Sequence, residues 1–139
     1  MSVVKELIRI EDNGTISFGN YELENKSKLE DFEFNGDLYK VKTFKEITKL
    51  EKNSLFVYES VPGTSVTNFN KTDMEVTFSV NGPEDAQVIL ELEEEKEYKV
   101  YTDDINIGTM KTNLGGKLVL SVELGNCNCE GVKVRIVKL

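Results

Sequence analysis

The sequence predicts an all-β protein, and three observations predict it. Apolar and polar residues alternate with a period of two, and no helical period is sustained over about eleven residues. In the second half the alternating runs follow one another every eight to twelve residues or so, a spacing typical of antiparallel sandwiches and barrels. Asn, Asp and Gly separate the runs and suit tight turns. We therefore predict an antiparallel β-sandwich in the C-terminal half, preceded by a smaller, hairpin-rich β lobe.

Two hairpins are predicted in the first lobe. One turns at Asn13-Gly14 and the other at Asn35-Gly36, a dipeptide that favours the two-residue turn between antiparallel strands. The runs that flank these turns are Val3–Ile10, Thr15–Leu23, Phe32–Phe34 and Leu38–Thr43.

Two segments of this lobe are helix candidates, Asn25–Asp31 and Thr43–Asn53. The second has apolar residues at three-residue steps, but strand, loop and a single turn remain open for it. The next predicted strand is Leu55–Glu59. The strand pattern is interrupted after it by Val61-Pro62-Gly63. We place the boundary between a lobe of residues 1–61 and a sandwich of residues 62–139 there, with one continuous domain as the alternative.

The second half contains six predicted strands, each with one apolar face. They are Met74–Val80, Ala86–Leu92, Glu97–Thr102, Ile105–Thr112, Lys117–Leu124 and Val132–Leu139. Asp103-Asp104 fits a tight hairpin between the third and fourth of them. The last run ends with the sequence as given, so we expect it to form a sheet edge that is available for pairing.

Composition excludes several classes of function. The absence of His removes the commonest general base near neutral pH and every zinc site that contains His. A net charge of −8 and a pI of about 4.7 disfavour nucleic acid and anionic membranes as partners. The first ten residues do not form a signal peptide, and no apolar stretch is long enough to span a membrane, so we expect a cytoplasmic protein.

Cys127 and Cys129 form the most distinctive local motif. Two thiols in a C-x-C pair can ligate a soft metal or form a redox pair, and Glu130 would add an oxygen ligand. A structural zinc site needs four ligands, and the chain offers no other Cys and no His. The alternative is a polar hairpin tip with no special chemistry.

Acidic residues suggest a second candidate metal site. Five glutamates between Glu91 and Glu97 precede Asp103, Asp104 and Asn106, which together could supply oxygen ligands for Ca²⁺. The spacing does not match an EF-hand loop, and a solvated acidic rim explains the run equally well. We expect no cofactor.

The twelve aromatic residues suggest a third kind of site. Sugar-binding modules often expose a flat row of aromatic side chains, usually led by Trp, which this chain lacks. Eight of the twelve precede Val61. We favour the alternative that they form the core, because small hairpins need large side chains to cover their interior.

Two resemblances extend this interpretation. The stretch from Glu75 to Leu139, with its Gly-Gly turn into "KLVLSVEL", resembles the immunoglobulin- and fibronectin-III-like sandwiches appended to carbohydrate-active enzymes. Segments such as "NKSKLEDFEFNGDLYKVKTFKEITKLEKN" and "FVYESVPGTSVTNF" resemble a family of short, uncharacterised bacterial proteins sometimes labelled endosialidase. The first resemblance implies a sandwich, and the second implies an association with glycans or with phage-derived proteins.

Sialidases clamp the carboxylate of their substrate with a cluster of three arginines, whereas this chain has only Arg9 and Arg135. We therefore expect no enzyme but a structural or protein-interaction module, self-associating through an exposed strand edge or an apolar face. The alternatives are a carbohydrate-binding accessory module and a phage- or particle-associated structural component. The sequence leaves the ligand and the oligomeric state open.

Overall fold

The computed structural model describes residues 3–124 and 131–139, which form two antiparallel sheets packed as a β-sandwich. This confirms the predicted fold class. Within the described ranges there is no helix, and hence none long and apolar enough to cross a membrane. The thirteen strands of these ranges are β1 (Ile8–Ile10), β2 (Ile16–Phe18), β3 (Ser27–Phe34), β4 (Asp37–Phe44), β5 (Ile47–Lys52), β6 (Leu55–Val61), β7 (Ser65–Lys71), β8 (Glu75–Asn81), β9 (Ala86–Glu91), β10 (Glu97–Thr102), β11 (Ile105–Lys111), β12 (Lys117–Val122) and β13 (Val132–Lys138).

The strands of the two halves are interleaved in both sheets. The larger sheet has the order β1-β2-β7-β8-β13-β10-β11, and the smaller has the order β12-β9-β6-β5-β4-β3. Across the predicted boundary after residue 61, β2 pairs with β7 and β6 pairs with β9. Side chains from both halves also share one hydrophobic cluster.

All six strands predicted in the second half are confirmed, with ends that differ by no more than two residues. The hairpin turn at Asn35-Gly36 is confirmed as well, because both residues have the positive φ angles, 53° and 82°, that a type I′ turn requires. The two helix candidates are strands, since Asn25–Asp31 runs into β3 and Thr43–Asn53 contains β5.

The expectation that the last strand is a sheet edge is wrong. β13 lies inside the larger sheet, hydrogen-bonded to β8 on one side and to β10 on the other. Its alternating apolar residues Val134 and Ile136 are fully buried, as a central strand requires. Sheet order is a property of the whole topology, and position in the sequence does not determine it.

The interior is built around four aromatic rings contributed by both sheets. Tyr58 lies 5.2 Å from Phe18 and 5.9 Å from Phe78 between ring centroids, both in edge-to-face geometry, and Phe69 completes the group. Edge-to-face pairs are the arrangement that the quadrupoles of aromatic rings favour. The interpretation of the aromatics as core residues is confirmed for these four.

Buried hydroxyl groups join the sheets beside these rings. The Thr64 hydroxyl, just before β7, shares hydrogen bonds with Tyr58 Oη (2.8 Å) and Ser60 Oγ (2.7 Å) on β6. Thr48 Oγ1 on β5 donates to the Thr64 carbonyl at 2.7 Å and accepts from the Thr64 amide at 3.1 Å. Thr43 extends the cluster to β4 through a 2.8 Å bond to Thr48. Among the described residues, no buried side-chain polar atom lacks a partner.

Gly63 carries the chain from the smaller sheet to the larger one at a point of very close backbone approach. Its amide donates to the Lys45 carbonyl at 3.0 Å. A Cβ added to Gly63 would lie 2.0 Å from the Phe44 carbonyl oxygen, far inside van der Waals contact. Phe44 is held by its pairing with Ile47, and Gly63 by its own hydrogen bond to Lys45, so neither backbone can move away cheaply.

We predict that Gly63→Ala lowers the free energy of unfolding by about 3 kcal/mol, at the upper end of overpacking effects. Gly115→Ala is the matched control, because its Cβ would meet its nearest neighbour at an ordinary 3.5 Å. Urea denaturation of both variants measures the difference. Equal stabilities would show that the backbone at Gly63 relaxes.

Burial raises the pKa of Tyr58 from 10.0 to about 12, although its hydrogen bonds to Thr64 and Ser60 act in the opposite direction. The folded state therefore holds this proton more tightly than the unfolded state. The contribution of this proton to the free energy of unfolding is fully present below pH 10. It is lost as the pH rises from 10 towards 12, by roughly 3 kcal/mol at most.

We predict that Tyr58→Phe removes this part of the alkaline destabilisation. The free energy of unfolding of the wild type should fall more steeply between pH 10 and 12 than that of the variant, measured by urea denaturation at each pH. Tyr21 and Tyr39, whose pKa values burial also raises, remain in both proteins and cancel in the comparison. Parallel curves for the two proteins would contradict the assignment.

Candidate functional site

The candidate calcium ligands Asp103, Asp104 and Asn106 lie at the hairpin between β10 and β11. Asp103 and Asp104 both have positive φ, which closes the two-residue turn. Asp103 Oδ1 accepts a hydrogen bond from the Lys133 amide at 2.9 Å, and Asn106 Oδ1 accepts one from the Gly108 amide at 2.8 Å. Asn106 therefore shapes the backbone of the hairpin, and Asp103 ties its tip to β13.

The glutamate run forms the connection from β9 to β10. Glu91 pairs with Lys117 at 2.5 Å, and Glu93 pairs with Lys138. The connection itself is held by Thr112, whose hydroxyl donates to the Glu93 carbonyl at 2.6 Å. In the part of the chain that the structure describes, no three acidic or thiol side chains gather as a metal site would need. Cys127 and Cys129 lie outside the described residues.

An open cleft of about 300 Å³ lies at one end of the sandwich, between β4 and β7. Its lining includes Phe34, Tyr39, Lys52 and Lys71. The pKa of Lys71 is held below its usual value, first because the surrounding protein displaces water and then because Lys52 is close. The cleft has room for a small polar molecule, but acidic groups such as Asp37 and Asp73 line it as well.

The edges of the two sheets differ in how well they are protected from pairing. β1 is only three residues long. β3 carries four charged residues and a bulge between Leu29 and Phe32. β12 buries every second residue and so exposes one face. Short, charged and bulged edges are the usual protection against pairing with another chain.

β11 is the edge strand with the most exposed side chains, although it also contains a bulge. Of its seven residues six are exposed, and only Met110 is half-buried. Ile105 and Ile107 are 66% and 43% exposed. A bulge inserts Ile107 as an extra residue opposite β10, so its side chain has no direct partner across the strand pair. We name Ile105–Lys111, with its two exposed isoleucines, the β11 edge.

The charged residues in and next to the β11 edge lie at its two ends. Asp103 and Asp104 precede the strand, and Lys111 is its last residue, while the residues between carry no charge. An antiparallel neighbour with the same sequence would therefore bring each lysine towards the partner's aspartates. This arrangement is self-complementary, as a two-fold interface requires.

The sequence identified this run as a strand but not as an open edge. Its pattern, Ile-Asn-Ile-Gly-Thr-Met-Lys, predicts one buried apolar face, whereas the structure buries neither face. Gly108 within the run was the one available signal, because a glycine inside a strand often marks a bulge.

Comparison with known proteins found no match for this chain, whether among family models, curated proteins or solved structures.

Proposed function

We propose that this protein is a non-catalytic interaction module that associates with a second copy of itself through the β11 edge. The observation that carries the proposal is the exposure of Ile105 and Ile107 on a strand whose outer side is unpaired. Pairing there would bury apolar surface and satisfy the outward backbone groups of the strand.

The charge pattern favours a second copy as the partner. The chain carries a net charge of −8, so two copies repel each other over most of their surfaces. The β11 edge avoids this repulsion because its centre is neutral and its ends carry opposite charges. Isologous contacts of this kind give closed dimers, not open fibres.

We predict that Ile107→Lys converts a dimer into a monomer. A buried, unpaired ammonium in the interface would oppose association, and the new charge would face its own copy across the two-fold axis. Size-exclusion chromatography with light scattering, over a series of protein concentrations, measures the mass.

Val119→Lys is the matched control, because Val119 is also about half exposed (48%) and lies on another edge strand, β12. It should leave the dimer intact. A wild-type protein that stays monomeric at every concentration would refute the proposal, as would a Val119→Lys variant that dissociates equally.

A further inference from the structure

Three lysines lie directly opposite one another across the outer face of the smaller sheet. Lys28 on β3 faces Lys42 on β4, and Lys42 faces Lys49 on β5. Adjacent strands are about 4.8 Å apart, so the row presents three ammonium groups over roughly 10 Å. We name Lys28, Lys42 and Lys49 the lysine row.

This arrangement is unfavourable for the isolated protein. Like charges directly opposite each other on neighbouring strands destabilise a sheet. Lys26 and Lys40 add to the repulsion that Lys42 experiences from Lys28 and Lys49. The pKa of Lys42 is lowered first because the surrounding protein displaces water, and then because of these four lysines. The smaller sheet therefore carries a positive patch that lowers its stability, and folding does not explain why the patch is there.

Acidic side chains compensate only one end of the row. Lys49 lies 3.5 Å from Glu51 and faces Glu59 on β6. Within the described residues, Lys26, Lys28 and Lys42 have no ion pair, and Lys40 has none within 4 Å although it lies opposite Glu51 on β5. At physiological ionic strength charges are screened beyond about 8 Å, so a ligand at this face responds to the local lysines more than to the net charge of −8.

We propose that the lysine row binds an acidic polysaccharide, with successive carboxylates of the polymer lying against Lys28, Lys42 and Lys49. A row of point charges on an open sheet face fits an extended polyanion better than a compact ligand. A stiff polysaccharide also loses little conformational freedom when it binds along such a row.

Two features favour a polysaccharide over nucleic acid. Single-stranded nucleic acid is usually held by exposed aromatic rings that stack on bases, and none of the twelve aromatic side chains is fully exposed. Arg is the preferred residue for phosphate, yet both arginines, Arg9 and Arg135, lie on the larger sheet, where each pairs with a glutamate. An acidic peptide would instead be expected to use a strand edge or apolar pockets.

The test compares two triple variants of equal charge. One replaces the lysine row (Lys28→Gln, Lys42→Gln and Lys49→Gln), and the control replaces three lysines on or next to the larger sheet and outside the β11 edge (Lys96→Gln, Lys99→Gln and Lys133→Gln). Titration calorimetry measures binding of polygalacturonate, with dextran, polyglutamate and oligothymidylate as comparison polymers.

We expect polygalacturonate to bind the wild type and the control variant, and the lysine-row variant to bind roughly tenfold more weakly or worse. Raising the salt concentration should weaken the binding, and dextran should not bind. Thermal unfolding at low salt gives a second measurement, in which the lysine-row variant should be at least as stable as the wild type. Absence of polygalacturonate binding, equal loss in both variants, or tighter binding of polyglutamate or oligothymidylate would overturn the proposal.

Discussion

Thr64 makes the hydrogen bonds on which the rest of the sandwich depends. Its backbone belongs to the crossing into the larger sheet, and its side chain and peptide group bond to Tyr58, Ser60 and Thr48 of the smaller one. Apolar contacts between sheets are tolerant of sliding, whereas these buried polar groups are satisfied in one arrangement only. The cluster thus fixes the relative position of the two layers, and the aromatic rings then pack around Tyr58.

The sequence predicted local structure well because strands and turns depend on neighbouring residues. Alternation identified β8 to β13, and Asn35-Gly36 identified its hairpin, since both signals are contained in a few positions. The sheet order could not be predicted in this way. Val132–Leu139 looked like an edge and is central, while Ile105–Thr112 looked half-buried and contains an exposed edge. Which strands are neighbours is decided by contacts between residues that are far apart in the sequence.

The candidate sites were correspondingly harder to find than the strands. The motifs that stood out in the sequence, such as Asp103-Asp104, serve the backbone of a turn. The surfaces with unexplained exposure or charge are the β11 edge and the lysine row, and both arise only when strands are placed side by side. Net charge, an average over the whole chain, obscured the second of them, because acidic residues elsewhere outnumber these lysines.

The bulge in β3 determines which side chains the outer face of that strand carries. Leu29 lies opposite Val41, and Phe32 lies opposite Tyr39, so one strand uses an extra residue and the alternation breaks at Asp31. If β3 paired with β4 from Phe32 onwards without the bulge, Lys28 would face the buried Thr43, and its charge would be turned towards the interior. The bulge absorbs the extra residue and so keeps a basic outer surface where regular pairing of the same sequence would bury an ammonium. Shortening β3 by one residue at the bulge would restore regular pairing and leave Lys28 opposite Lys42, so this face can keep its charge through a change in strand length.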